Sequence, residues 1–303
     1  MGKIVIVGSS NTDMVVRSHR IPAPGETILG GDFDIIQGGK GANQAVAAAR
    51  AGSRVTFIAR VGNDDFGKAA IKSYLDNEIN TNHIFIDSNY PTGVAFIVVD
   101  EQTGQNSIVV APGANGQLSA ADIETSRQAI INADAVLMQL EIPLKTINKV
   151  LQIASKHGVK TILNPAPAQA LSDELFSMLD IITPNENEAE LLTGIPLTSN
   201  DSIRNAANIL IQKVNEAVII TLGERGVYYK IKSGEEGFVP ITHIDAVDTT
   251  AAGDVFNGYF VSALANGSSF EASVALANKA AAISVRYRGA QSSIPYQSQL
   301  KLL

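Results

Sequence analysis

The chain reads as an α/β fold: a doubly wound, mostly parallel sheet flanked by helices, with a small separate β-sheet. Three observations lead there. Short β-branched apolar runs recur at 3–8, 54–59, 135–138, 159–163, 180–183 and 217–221. They are continuous rather than alternating, as strands covered on both faces are. Helical stretches such as 144–157 separate them, which is βαβ order.

In chain order, Lys3 to Gly8 is a buried strand opening into Ser9, Ser10 and Asn11. Its four consecutive apolar residues are too few for a secretion signal, so the expectation is a cytoplasmic protein. The segments 27–38 and 93–110 break the alternation because neither has a helix beside it. In the second, 94–99 and 106–110 flank a polar stretch ending in Gly104-Gln105, which reads as a hairpin. The two are expected to pair into the small sheet, an appendage of the kind that closes over a site. Gly158, after Lys156 and His157, suits a left-handed helix stop. From Asn185 onward the chain reads as helix-rich around two late strands and a hairpin at 226–239.

Composition narrows the function. Lys+Arg number 23 against Asp+Glu 30, a formal net charge of −7, which argues against a nucleic-acid partner. Cysteine is absent, excluding disulfides, thiolate metal sites and a cysteine nucleophile. No apolar run approaches the roughly 20 residues of a membrane span, so no membrane role is expected. His19, His83, His157 and His243 show no metal-ligand spacing.

Four segments carry chemistry. Asp248-Thr249-Thr250-Ala251-Ala252-Gly253-Asp254 precedes a good helix start, an anion cradle by type. Asp254, in the first turn, is expected to stay ionised near the positive helix end and to accept a proton from a substrate hydroxyl. Taken alone, the motif fits a capped helix with an acidic first turn better than a site. Gly38-Gly39-Lys40-Gly41-Ala42-Asn43 stands just before an alanine-rich helix at 45–51, where bare glycine and Asn43 can meet a polyol. Asn11 and Asp13 follow the first strand, where open α/β sheets bind ligands. Asn185 and Glu188 share one side of a first helical turn, which suits water-mediated magnesium or a plain acidic helix start. Thr221-Leu222-Gly223-Glu224-Arg225-Gly226 ends another strand in a glycine turn.

Two tempting motifs fail. Gly62 to Ala69 has P-loop spacing but ends in alanine, without the magnesium-binding hydroxyl, and Asp64 and Asp65 would repel phosphate. It reads as a turn with a helix beginning at its end. Gly8 to Asp13 lacks the second and third glycines of a dinucleotide turn.

Together and in this order, the motifs resemble the ribokinase/PfkB family of ATP-dependent carbohydrate kinases along essentially the whole chain. The resemblance implies a large domain at 1–12, 39–92 and 111–303 and a β-sheet lid at 13–38 and 93–110, with a homodimer through the lid. It implies Asp254 as catalytic base and the Ala251, Ala252 and Gly253 amides as anion hole. Asn11, Asp13, Gly39, Lys40, Gly41, Asn43, Glu141 and Asp254 would hold the sugar. ATP would lie along Asn185, the 221–226 turn (Thr221, Leu222, Gly223, Glu224, Arg225, Gly226), Gly253 and Asn278, with Glu188 ordering magnesium through water. Asp248, Thr250, Ser284, Tyr287, Gly289 and Ser293 match a potassium site. The substrate shell is nearest the members that phosphorylate D-ribose at its 5-hydroxyl. Deoxyribose, a ketohexose or a nucleoside is the alternative acceptor, and a non-catalytic sugar or nucleotide sensor the alternative role. Val255, where the family commonly has threonine, is expected to face the core, and Tyr287 occupies a position that is often basic.

Overall fold

The structure is a computed structural model and describes residues 1–241 and 244–302, so His243 lies outside the described residues. The large sheet starts with β1 (Lys3–Val7). The chain leaves it for β2 (Asn11–Ser18) and β3 (Phe33–Gly38), returns through α1 (Lys40–Arg50), and adds β4 (Arg54–Gly62), α2 (Asp65–Asp76) and β5 (Asn80–Asp87). A second excursion forms β6 (Gly93–Asp100) and β7 (Asn106–Ala111). The alternation resumes with α3 (Ala120–Thr125), α4 (Arg127–Ile131), β8 (Ala135–Met138), α5 (Leu144–Lys156), β9 (Lys160–Leu163), α6 (Asp173–Ser177), β10 (Ile181–Ile182), α7 (Glu186–Thr193), α8 (Asn200–Lys213) and β11 (Ala217–Thr221). A hairpin of β12 (Val227–Ile231) and β13 (Glu236–Val239) follows, then α9 (Ala252–Ala265) and α10 (Phe270–Ser284).

Nine strands form the large sheet in the order β13-β12-β11-β10-β9-β8-β1-β4-β5, with the β11–β12 and β12–β13 pairs antiparallel and every other pair parallel. Both faces are covered, as the continuous apolar runs predict. Ile4 and Ile6 of β1 join the core under α1 and α9, while Val5 and Val7 join the opposite one under α5 and α8. Gly158, at φ +68°, ends α5 as expected.

The small sheet has the order β3-β2-β6-β7. The segments 27–38 and 93–110 both enter it, but β2 separates them, pairing antiparallel with β3 and parallel with β6. This strand escapes detection because Asn11-Thr12-Asp13 puts polar residues on both faces. Two helix starts and one strand count are corrected as well. Helix α1 begins at Lys40 rather than 45, since Gly39 at φ +88° turns the chain into a helix whose first residues include Gly41. Helix α2 begins at Asp65, inside the 62–69 turn, because Asp64 caps it by accepting from the Gly67 N–H at 2.8 Å. The late strands number three, β11, β12 and β13.

Two glycines set the spacing that builds the site. A Cβ on Gly258 would lie 2.4 Å from Ala47 Cβ and 2.7 Å from Gln44 O, so only glycine lets α9 cross α1 this closely. A Cβ on Gly41 would lie 2.6 Å from the backbone of Gly8 and Ser9, which seats the start of α1 on the end of β1.

Candidate active site

A cleft lies at the ends of β9, β10 and β11, with Asn164, Thr183 and Thr221 in its wall, where open α/β sheets bind ligands. Asp254 lies one helical turn above Gly258 on the same face of α9, so the close crossing brings it to two consecutive amides of α1. Asn43 Nδ2 donates to Asp254 Oδ2 at 3.0 Å, and Gln44 Nε2 donates to Asp254 Oδ1 at 2.9 Å. Burial pushes the Asp254 carboxyl above its ordinary value, against the Lys40 ammonium and those two donors, with Glu141 adding to the rise. Desolvation is thus the largest influence on it, and besides the helix start it is Lys40, Asn43 and Gln44 that favour the charged form.

Lys40 faces four carboxylates. Burial works to lower its ammonium, but Asp254, Glu141, Glu188 and Asp13 together hold it above its ordinary value. Burial, then Glu141 and Asp254, lifts Asp13 to about 7, and Lys40 opposes the rise. Its carboxylate packs against Gly38, where a Cβ would lie 2.1 Å from Oδ2. Glu141 Oε2 accepts from Ser9 Oγ at 2.5 Å and from the Lys40 N–H at 3.2 Å. Asn43 Oδ1 is buried without a hydrogen-bond partner among the described residues, an acceptor left for a ligand.

The helix start at Ala251 is strained. Its φ of +61° is a left-handed conformation in a residue with a Cβ, of the kind stored at functional sites. Gly253 follows with open space where a Cβ would be, and the Ala252 N–H makes a 3.2 Å bond to Thr249 O. A polar cleft of about 220 Å³ lies before this turn, lined by Lys40, Glu188, Ala251, Ala252, Gly253 and Asp254 among others. It shares Thr221, Thr249, Ala252 and Gly253 with an apolar cleft of about 240 Å³, whose walls include Val227, Phe256, Ala281 and Val285. Of the 221–226 turn, Thr221, Gly223, Glu224 and Gly226 line that cleft, as does Asn278. Leu222 instead packs in the core, and Arg225 pairs with Glu186 and Leu197 O.

Asn185 and Glu188 form a reciprocal cap. Glu188 N donates to Asn185 Oδ1 at 2.8 Å, while Asn185 N and Nδ2 donate to the two Glu188 oxygens at 2.9 Å each. Burial lifts Glu188, the Asn185 N–H and Lys40 oppose, and Asp254 adds to the rise. A buried, acid-rich cleft of this kind suits a divalent cation held through water.

Of the residues expected to hold potassium, Asp248, Thr250 and Gly289 are joined by hydrogen bonds. Asp248 Oδ1 accepts from Thr250 N and Oδ2 from Gly289 N, both at 2.9 Å. Burial works to lift Asp248, yet these donors outweigh it and hold the carboxyl below its ordinary value. Tyr287 N donates to Ser284 O at 3.0 Å, and Ser293 is buried, with Oγ on Ala290 O. No cluster of three or more His, Cys, Asp or Glu able to hold a metal occurs among the described residues, so the donors here are one carboxylate plus hydroxyls and carbonyls. Val255 is fully buried in the core, as expected.

Several residues of this site had no role in the sequence. Gln139 Nε2 donates to Gln44 Oε1 at 2.6 Å, and Gln44 Nε2 also reaches Asn164 Oδ1 at 3.1 Å. Thr183 Oγ1 donates to Asn257 Oδ1 at 2.6 Å, and Asn257 Nδ2 to Gly253 O at 2.8 Å, bracing the anion turn. Gln139, Asn164 and Thr183 each directly follow a strand of the large sheet, the signal that could have found them.

Comparison with known proteins shows the family. The model of the pfkB family of carbohydrate kinases matches residues 1–297. The chain is 47% identical over 296 residues to a ribokinase of Haemophilus influenzae, covering 98% of this chain and 96% of that protein. It is 37% identical to a deoxyribokinase of Salmonella typhi, covering 96% and 95%. The structure is similar to that of Arabidopsis thaliana ribokinase complexed with ribose and ATP, with a TM-score of 0.91, 32% identity and coverage of 99% and 98%.

Proposed function

The chain belongs to the pfkB family of carbohydrate kinases, and from that premise we propose that it transfers the γ-phosphoryl group of ATP to the 5-hydroxyl of D-ribose, giving D-ribose 5-phosphate and ADP. The observation that carries the reading is the position of Asp254. Its carboxylate lines the polar cleft before the anion turn, accepts from Asn43 and has Asp13 and Glu141 as charged neighbours, which supports a sugar held by Asn11, Asp13, Asn43 and Glu141 beside it.

In this reading Asp254 takes the hydroxyl proton as the sugar oxygen attacks in line. A weak base suffices, because phosphoryl transfer runs through a loose transition state in which positioning and charge neutralisation do most of the work. Lys40 and the amides of Ala251, Ala252 and Gly253 face the charge on the transferred group. The apolar cleft takes the base of ATP, with Thr221, Gly223, Glu224, Gly226 and Asn278 at its wall and Asn185 between it and Glu188. Magnesium, held by Glu188 through water, would neutralise phosphate charge. Potassium at Asp248, Thr250, Ser284, Tyr287, Gly289 and Ser293 would brace the anion turn.

The small sheet supports a lid at 13–38 and 93–110. Its Asn11, Asp13, Ile36, Ala95 and Ile97 share one face by strand register. Met14, Val16, Phe33, Ile35, Phe96 and Val109 share the other, and Phe33, Ile35, Phe96 and Val109 are exposed. That apolar face supports a homodimer through the lid. No described helix is long and apolar enough to cross a membrane, and the net charge of −7 does not favour a nucleic-acid partner.

The test is product identity by phosphorus NMR after incubation with ATP, magnesium and potassium. A phosphomonoester on C5 of ribose is expected. Faster turnover of deoxyribose, fructose or adenosine would move the specificity to that acceptor, and turnover of none would favour a sensor.

A further inference from the structure

Asn115 lies in the 3₁₀ turn Gly113–Gln117, where the chain leaves the small sheet. It is 1% exposed, and its three side-chain hydrogen bonds converge on one junction, the step from β1 into β2. Oδ1 accepts from the Ser10 N–H at 2.8 Å, and Nδ2 donates to Ser10 O at 3.1 Å and to Asn11 Oδ1 at 2.7 Å. The direction of these bonds is forced. A backbone N–H can only donate, so Asn115 turns its oxygen to Ser10 and therefore its amino group to Asn11, which must answer with its own oxygen. Asn11 is left with Nδ2 for the cleft. Gly93, where the chain re-enters the small sheet, makes the room: a Cβ there would lie 2.3 Å from both Asn11 Oδ1 and Asn115 Nδ2.

We propose that Asn115 is a positioning residue that fixes Asn11 as a hydrogen-bond donor toward the sugar, so that the hydroxyl meeting Asn11 serves as acceptor while another hydroxyl donates a hydrogen bond to the Asp13 carboxylate. This rests on the sugar-kinase reading above. It gives the acceptor shell a polarity, one amide donor beside one carboxylate acceptor, that no residue touching the sugar sets by itself. The same bonds tie the first entry into the small sheet to its last exit, so the donor is oriented by the segment about which that sheet would move.

Asn115→Asp is the informative change. It keeps the acceptor for the Ser10 N–H and removes the donor, so Asn11 turns its amino group to the new carboxylate and its oxygen to the sugar. The expected result is a ribose KM at least tenfold higher, with kcat and the KM for ATP changed less than threefold. In an Asn11→Ala background the same change should alter the ribose KM less than twofold. Equal losses in both backgrounds, or an equal rise in the KM for ATP, would overturn the proposal and make Asn115 a structural residue only. Asn115→Ser, which keeps a hydroxyl in the turn, gives the same comparison if the aspartate variant does not fold. Wild-type protein without ribose-dependent turnover would refute the ribose reading itself, whereas ribose turnover with additive variants would refute the Asn115 assignment alone.

Discussion

Gln44 Nε2 stands 2.9 Å from Asp254 Oδ1, and it is held there by Gln139, whose amino group donates to Gln44 Oε1 at 2.6 Å. Because Gln139 occupies the Gln44 oxygen, Gln44 can present only its donor to the carboxylate. Replacing Gln44 by leucine removes that donor with little change of volume. A charged hydrogen bond is worth about 1.5–3 kcal/mol, so kcat should fall roughly tenfold to a hundredfold. Loss of a donor to the ionised form raises a carboxyl pKa, and the acid limb of the kcat profile should move to higher pH. Rate profiles of both proteins at saturating substrates check this, and an unmoved limb would contradict it.

Asp254→Asn keeps the shape and removes the base. Turnover should fall by about two to four orders of magnitude while ribose still binds, as measured by calorimetry. Unchanged turnover would exclude Asp254 as the proton acceptor.

Asp13 should make sugar use pH-dependent. Its carboxyl is lifted to about 7, and a sugar hydroxyl donates more strongly to the ionised form, so kcat/KM for ribose should rise with pH up to about 7 and level off above. Stability runs the other way. A carboxyl whose folded value is raised contributes fully below its unfolded value of 3.8 and loses that contribution as pH rises through about 7. Asp13→Asn should therefore raise the Tm at pH 8 by about 2 °C or more and change it little at pH 4, as thermal scans at both pH values would show.

The fold was legible where its physics is local. Continuous apolar runs marked the buried strands, and Gly158 marked a helix end. Strand β2 was hidden because its first residues serve the cleft and break the apolar pattern, and the start of α1 was hidden because Gly39 and Gly41 are poor helix formers. The site shows the same division. Asp254, Lys40 and Glu188 are visible as motif residues, but Gln44, Gln139 and Asn164 gain their roles only when the fold sets α1 beside the ends of β8 and β9, and Asp254 reaches α1 by a crossing that Gly258 permits.

The monovalent cation should act through Asp248. Activity should be several-fold higher in potassium than in tetramethylammonium at equal ionic strength, and Asp248→Asn should abolish the difference. Equal rates for the wild-type protein in the two salts would contradict a cation site behind the anion turn.

The exposed face of the small sheet should hold the dimer. Phe96→Glu, at its centre, should convert a dimer to a monomer in size-exclusion chromatography with light scattering. A monomeric wild-type protein at micromolar concentration would contradict the assignment.

The most direct test is ADP release by the purified protein with ATP, magnesium and potassium, with and without D-ribose, alongside Asp254→Asn. ADP formation that depends on ribose and is lost in the variant is the expected result. Release indifferent to ribose, or retained without the carboxylate, would contradict a kinase that uses Asp254 to activate the sugar hydroxyl.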